Sequence, residues 1–519
     1  MVMLKLSQLK NEMRAKIPLY AAWGVLAGVL AFQLGSILFL NHGIFTYGLD
    51  DAYISLRMAE NISHGNYGIN AGEYSSPASS ILWPFLLAPF SFMPFFIYVP
   101  LILNTAFSFG TVWLFYRGCA LVYPKELQTH STAFSLIISG FVLGFNLVGL
   151  TLMGMEHSLQ VLLSAAVAYG LINEMKHKSL PQWFWLVLVL GPMVRYENLA
   201  LTGCVGLYLL FRGYWRQVIC AGIAVILALG SFSFFLVNLG LPALPLSVLT
   251  KLALRSPDIP VVLSNIQRVD AGAFLFLIGL CAYLWRKPLA LCVLGTLLAH
   301  MFYGSIGWIR YDSYVIAFAV PILFALYSRQ MVNFLKETPV ILRNCRIMIA
   351  ISCIFFVYFD DSLFRAPLAA RDTHLMQHQI HRFINEFYKS PAAVNDIGYP
   401  SFGSDFYILD YAGLASRESA QIITGKAPAY KGWMDATADK RDICLAVVYM
   451  SWFKEYIPAE WRPVAVLKVS ENIRTLAQAD REFTFFATKE RCAPELKELL
   501  AKFKATLPPE SELKLAATP

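Results

Sequence analysis

Residues 18–40 read PLYAAWGVLAGVLAFQLGSILFL, an apolar run with no charged side chain. About 20 such residues are enough to cross a bilayer as a helix. Lys5, Lys10, Arg14 and Lys16 precede the run and no small-residue cleavage site follows it. The pattern predicts a retained membrane helix with a cytoplasmic N-terminus. Working outward, further apolar runs fall at 98–116, 132–153, 158–173, 182–195, 199–211, 217–238, 270–285, 288–307, 314–328 and 347–359. The fold class expected is a polytopic α-helical membrane protein with about eleven transmembrane helices.

The composition agrees. Hydrophobic residues make up 57% and charged residues only 15%, and the mean hydropathy is +0.54, which excludes an ordinary soluble protein. Long continuous runs also argue against a β-barrel, whose strands alternate. The net charge of +8 is read as topology, because Lys and Arg collect in cytoplasmic loops; no nucleic-acid partner is expected. Arg117 with Lys125, Lys176 with Lys178, Arg212 with Arg216, Arg286 with Lys287, and Arg329, Lys336, Arg343 and Arg346 all fall on one side of the expected spans. The stretch 80–97, broken by Pro84, Pro89 and Pro94, is expected to be a kinked interfacial or half-embedded helix, since counting it as a span would invert every later loop.

Two parts then face outward: the loop at about 42–80 and the chain after about 360. The expected organisation is a membrane domain at 1–359, an α/β domain at 360–505 with a helix at 371–389, and a flexible tail at 506–519. Strand-like runs fall at 392–398, 405–411, 443–450, 463–470 and 482–488, followed by a helix near 493–504. Seven of the nine cysteines lie in or beside apolar segments and read as packing. Cys444 and Cys492 lie in the outer domain, where an oxidising periplasm would allow them to pair.

The strongest local signal is Asp50 and Asp51, which open DDAYISLRMAENISHG at the outer end of the first span. Adjacent carboxylates at a membrane surface can orient an acceptor hydroxyl and take its proton. They can equally be a helix N-cap and a first-turn acid, worth about 1 kcal/mol. Tyr53, Arg57, Asn61 and His64 continue the same helix as a polar stripe. Other ionisable clusters fall at outward ends: Glu156 with His157, Arg195 and Tyr196 with Glu197, Lys251 with Arg255, and Arg310 and Tyr311 with Asp312. Singly each is an interfacial anchor; together they place carboxylates and cations at one membrane face, which suits a phosphate-bearing lipid.

These residues resemble the first outer loop of the GT-C glycosyltransferases, above all the mycobacterial terminal arabinofuranosyltransferase family. DDAYISLRMAENISHG is followed by NAGE and SSPASSILW. GMEHSLQVLLSA at 154–165, PMVRYENLA at 192–200, LPLSVLTKL at 244–252 and VNDIGYPSFGSDFYILDYAGLAS at 394–416 are similar to later family segments, in order. His157 stands where Thr is usual, Tyr196 where Pro is common, and Leu246-Ser247 where Asn-Thr is expected. The aspartates and glycines at 396, 398, 410 and 413 also read as turn and strand-end residues.

The resemblance implies a GT-C-like bacterial inner-membrane enzyme. It would transfer a sugar, with D-arabinofuranose as the working choice, from a polyprenyl monophosphate to a glycan, lipid or protein hydroxyl on the periplasmic side, by inversion. It implies Asp50 as general base, with Asp51 orienting the acceptor or stabilising positive charge near the anomeric carbon. Lys251, Arg255, Arg195 and Arg310 would hold the donor phosphate. Tyr53, Arg57, Glu156, His157 and Glu197 would contact acceptor or donor sugar. No metal and no cofactor is implied; membrane lipids are the other expected partner. Alternatives are a glucosyl, mannosyl or aminoarabinosyl transferase for O-antigen, protein or lipid A, a lipid-linked-sugar transporter, and a non-catalytic scaffold.

Overall fold

The computed structural model describes residues 2–253, 266, 271–304, 310–360, 364–423, 432–469 and 480–516. The chain divides into two compact units. The first comprises Met1–Gly35, Pro100–Leu229 and Pro257–Ala366; the second comprises Ser36–Val99, Gly230–Ser256 and Pro367–Pro519.

The first unit is helical. Among the described residues each apolar run expected from the sequence is helical, from Val2–Leu40 through Val99–Val122 to Val340–Asp360, with the run 132–153 divided between Ser131–Gly144 and Leu147–Met153. Glu12–Leu40, Phe96–Val122, Ser131–Met153, His157–His177 and Trp215–Asn238 are long and apolar enough to cross a membrane, and Ser313–Leu326 with Ser328–Glu337 qualify together across a 67° bend. Four further apolar helices, Gln182–Val194, Asn198–Phe211, Ala271–Tyr283 and Pro288–Tyr303, are shorter, as helices packed among protein neighbours can be. Trp215–Asn238 leaves Ile226 71%, Leu227 63% and Phe234 67% exposed, a surface that only hydrocarbon would cover without penalty. The helix His157–His177 packs on Ser313–Leu326, and both carry buried small side chains, Ala168 on one and Ala317 and Ala319 on the other, of the kind that let two backbones approach. Gly170 is required where it stands, because a Cβ there would run into the ring of Phe184.

The second unit holds a six-stranded mixed sheet in the order β2-β1-β3-β5-β4-β6. Its strands are β1 Ala392–Val394, β2 Ile408–Asp410, β3 Leu445–Val448, β4 Arg462–Val469, β5 Glu482–Ala487 and β6 Ser511–Leu515. β2, β1 and β3 run parallel, and β3, β5, β4 and β6 pair antiparallel. Both faces are covered. Phe486, Ala446 and Val448 pack with Trp433, Tyr411 and Trp461. Phe485, alternating to the opposite face, meets Phe383, which also contacts Phe503 of helix Ala493–Lys504.

Three features differ from the expectation or extend it. The chain beyond 505, expected as a flexible tail, includes β6, which pairs with β4 through Ser511–Leu515 and buries the alternate residues Ser511 and Leu513. The first two strands are three residues each, because the chain after Val394 turns into the helix Gly398–Ser401. A disulfide joins Cys444 to Cys492, tying the start of β3 to the turn before helix Ala493–Lys504. The stretch 80–97 is broken as its prolines require, into helix Leu82–Leu87 and the 3-10 turns Ala88–Phe90 and Phe96–Tyr98.

Candidate functional site

In the second unit, Asp51–Ser63 forms the helix expected of DDAYISLRMAENIS, and Asp50 occupies its N-cap position. Its side chain makes no capping bond there. Instead Oδ2 accepts the backbone N–H of Gly398 at 2.7 Å and Oδ1 that of Tyr399 at 2.7 Å. Two short N–H···O bonds to one carboxylate fix its plane and position. Residue 398 must be glycine for this: a Cβ would collide with the Asp50 carbonyl and carboxylate.

Asp396, just after β1, completes the cluster. Its Oδ2 accepts from Gln377 Nε2 at 2.8 Å and from the Tyr449 hydroxyl at 2.9 Å, and its Oδ1 from Asn395 Nδ2 at 3.2 Å. Asn395 is held in turn by the Tyr449 backbone N–H at 2.9 Å. Burial and the charge of Asp396 push the Asp50 carboxyl well above its usual range, with Asp51 adding to the effect and the two amides opposing it. Asp396 is also pushed up, by burial and by Asp51 against its three hydrogen bonds. All three aspartates keep part of their surface open. Asp50 and Asp396 are thus held in place and still accessible, and carboxylates set this close resist simultaneous ionisation, which raises the proton affinity of a base. Among the described residues no group of three His, Cys, Asp or Glu is arranged to hold a metal ion.

The rest of the outer-loop motif builds the mount. Arg57 donates from Nε to Ile69 O at 2.9 Å, from Nη2 to Ser404 O at 2.7 Å and from Nη1 to Glu60 at 3.1 Å, while Glu60 also accepts the Gly403 N–H at 3.1 Å. Asn70 of NAGE exchanges two hydrogen bonds with the backbone of Ile408, at 2.9 and 2.8 Å, and so closes the outer edge of β2. Tyr53 is fully buried, its hydroxyl accepting from the Tyr47 N–H at 3.0 Å and its ring lying 3.9 Å from that of Tyr399. Tyr53 and Arg57, expected to touch sugar, here brace the outer loop itself, and meet the segment 397–404 through the Tyr53–Tyr399 ring contact and the Arg57–Ser404 hydrogen bond. Behind Tyr399 stand His374, His378 and His381, stacked ring to ring. Burial above all pulls them down to about 4, 3 and 4, with the charge of Arg382 adding to it in each case; they are neutral packing groups near pH 7. Asp410, by contrast, accepts the N–H groups of Ala412 and Ala415 at 2.8 and 2.6 Å and is a turn residue.

In the first unit, three of the four ionisable clusters do converge, but on each other. Arg195, 2% exposed, donates to Glu156 at 2.8 Å and to Glu197 at 3.1 and 2.5 Å. Tyr311 lies between Arg195 and Arg310, at 5.3 and 4.9 Å from the two guanidinium carbons. His157 contacts Gln160 at 3.2 Å, which bonds Asn198 at 2.8 Å, and Asp312 pairs with His300 at 2.9 Å. Arg195 was expected at a donor phosphate; here its charge is balanced by two carboxylates, as burial demands. Glu156, His157 and Glu197, expected at a sugar, are members of the same network. Arg310 bonds Met155 and the Tyr311 hydroxyl. Of the remaining expected cations, Lys251 falls in helix Leu246–Ala253, whose first N–H is held by Ser76 of SSPASS at 3.1 Å, and Arg255 lies outside the described residues.

Sequence reasoning missed the polar frame of Asp396. Gln377 and Tyr449 lie outside the motifs read from the sequence, Asn395 stands beside Asp396 in the 394–416 stretch with no signal of its own, and only folding brings the three together.

Residues 368–486 match a family model described as a domain of unknown function (DUF8728). No curated protein matches the chain. Among solved structures, the chain is similar to the oligosaccharyltransferase of Archaeoglobus fulgidus. The apo form gives 11% identity and a TM-score of 0.44, covering 90% of this chain and 74% of the other. The form tethered to an acceptor peptide containing the NVT sequon gives 10% and 0.45, covering 94% and 75%. The AglB complex with an inhibitory peptide and a dolichol-phosphate gives 10% and 0.42, covering 90% and 74%.

Proposed function

We propose that this protein is a GT-C-type membrane glycosyltransferase that moves a sugar from a polyprenyl monophosphate to an acceptor hydroxyl, with inversion, and that D-arabinofuranose is the first donor sugar to test. The observation that carries the reading is the accessible cluster of Asp50, Asp51 and Asp396, in which the Gly398 and Tyr399 amides hold Asp50 and Gln377, Asn395 and Tyr449 hold Asp396. In the proposed mechanism Asp50 is the general base. Its two amide bonds use one lone pair on each oxygen and leave one on each unused by them, and its raised proton affinity suits a hydroxyl acceptor. Asp51 orients the acceptor and Asp396 keeps the basicity of Asp50 high. Attack forms the bond from acceptor oxygen to anomeric carbon and breaks the bond from that carbon to the phosphate oxygen; the proton goes to Asp50 and polyprenyl phosphate leaves. Phosphate departs without a general acid, and the resemblance assigns its neutralisation to Lys251 and Arg255, since Arg195 is already ion-paired. The Cys444–Cys492 disulfide supports an oxidising, periplasmic setting for the sheet.

The test is to incubate the purified chain in detergent with synthetic polyprenyl-phosphoryl sugars, arabinofuranosyl, glucosyl, mannosyl and aminoarabinosyl among them, and a mixed envelope-glycan acceptor. Consumption of one donor, abolished by Asp51→Asn, is the expected result. Binding of a donor lipid with no consumption under any acceptor condition would instead indicate a transporter.

A further inference from the structure

The helix Ser313–Leu326 turns by 67° into Ser328–Glu337. The second helix carries Arg329, Gln330, Asn333, Lys336 and Glu337 beside Met331, Phe334 and Leu335, and only Leu335 is buried. A helix that leaves the direction of an apolar span and divides into charged and apolar faces is suited to lie along a bilayer interface.

Met331 and Phe334 line a cavity of about 390 Å³ whose other walls include Phe141, Leu280, Phe324 and Ile351. Its lining is apolar except for Tyr327 and Gln330, too few polar partners to hold ordered water. Phe276 in its wall is 46% exposed, and Gln330 and Ala350 are exposed as well, so the cavity opens at the outer surface of these helices. Four cations lie on the two helices that flank it: Arg329, Lys336, Arg343 and Arg346, with Glu337 the sole acid between 328 and 350. None of the four is ion-paired among the described residues. Arg343 is 5% exposed; it donates to Leu335 O at 2.9 Å and meets His130 at 3.1 Å, while its Nε finds no partner. Ile347, one turn further along, is in the cavity wall.

An apolar hole open to the bilayer beside uncompensated cations matches a molecule with a hydrocarbon chain and an anionic head. We propose that this cavity holds an acyl chain of an anionic phospholipid taken from the surrounding bilayer, its phosphodiester bound by Arg343 with Arg329, Lys336 and Arg346. The bilayer's own phospholipid is the occupant because it is the solvent of this surface, present in large excess over any carrier lipid.

Native mass spectrometry of the full chain in detergent, supplied in turn with phosphatidylglycerol, phosphatidylcholine and polyprenyl phosphate, tests it. The expected result is one phosphatidylglycerol retained per chain, with the other two lipids held at least about tenfold more weakly. Lys336→Ala and Arg346→Ala should each weaken retention by about fivefold, the worth of one interfacial cation. Ala350→Phe, which fills the cavity from its exposed edge, should abolish retention at an unchanged melting temperature; if that variant does not fold, Leu280→Trp serves the same purpose. Equal retention of phosphatidylcholine, preferential retention of polyprenyl phosphate, or charge variants that bind like the parent would each overturn the proposal.

Discussion

The carboxylate of Asp50 and the backbone of Gly398, distant in sequence, meet through a 2.7 Å hydrogen bond, and the Tyr399 amide binds the second oxygen at the same distance. Asp50→Asn is therefore not a silent probe of basicity. Whichever way the amide turns, its NH₂ faces a backbone N–H, and one buried hydrogen bond is replaced by a donor facing a donor. The expected cost is about 1–3 kcal/mol, read as a lower melting temperature in addition to lost turnover. Asp51→Asn should also remove turnover. Equal melting temperatures for the Asp50 variant and the parent would show that the two amides do not hold this carboxylate in solution.

Asp396 raises the proton affinity of Asp50. A base must be ionised to act, so the acid limb of the pH–rate profile should lie above the usual carboxylate range near pH 4. In Asp396→Asn the neighbouring charge is gone and the Asp50 pKa falls, so the acid limb should move to lower pH. A limb that stays in place or moves upward would separate Asp396 from the reacting carboxylate.

Removing Arg195 should damage the fold before it damages donor binding. Arg195→Ala leaves Glu156 buried without its cation, at an expected cost of about 3–5 kcal/mol. Detergent-solubilised protein should lose its melting transition or show it far below that of the parent. A stable Arg195→Ala protein with weakened donor binding would return this arginine to the phosphate.

Reduction of the Cys444–Cys492 bridge, or its replacement by two serines, frees a loop with a sequence separation of 48. The expected loss is about 2–5 kcal/mol, measured by denaturant unfolding of the chain with and without reductant. Unchanged unfolding would mean that the bridge constrains little beyond what the sheet already fixes.

The three stacked histidines give a second pH dependence. Their folded pKa values, about 4, 3 and 4, lie below the unfolded value near 6.5. Below about pH 6.5 the unfolded chain takes up protons that the folded chain refuses, so this contribution to stability falls as pH drops toward 4 and is level above 7. His378→Gln should flatten the dependence between pH 4 and 6.5. An unchanged slope would assign it to other groups.

The sequence by itself determined the helices and the place of the chemistry. Apolar runs such as 18–40 and 217–238 have no stable state except a helix in hydrocarbon, where every backbone group must bond within its own segment. The alternating runs of the last 150 or so residues likewise had to find a sheet. Asp50 and Asp51 were legible because their signal is local: a carboxylate pair at the end of a span. Tertiary structure alone decided what each charge does. Arg195 and Arg57 look like free cations in the sequence, yet each also finds an acceptor in a segment remote in the chain, Glu156 for the one and Ser404 O for the other. Asp396 and Gly398 look like turn residues, yet one adds a third carboxylate and the other clears room for Asp50. Periodicity and hydropathy are properties of neighbours along the chain and survive in a string of letters. The partner that sets a buried group's charge is fixed by packing between distant segments, and it exists only once they have met.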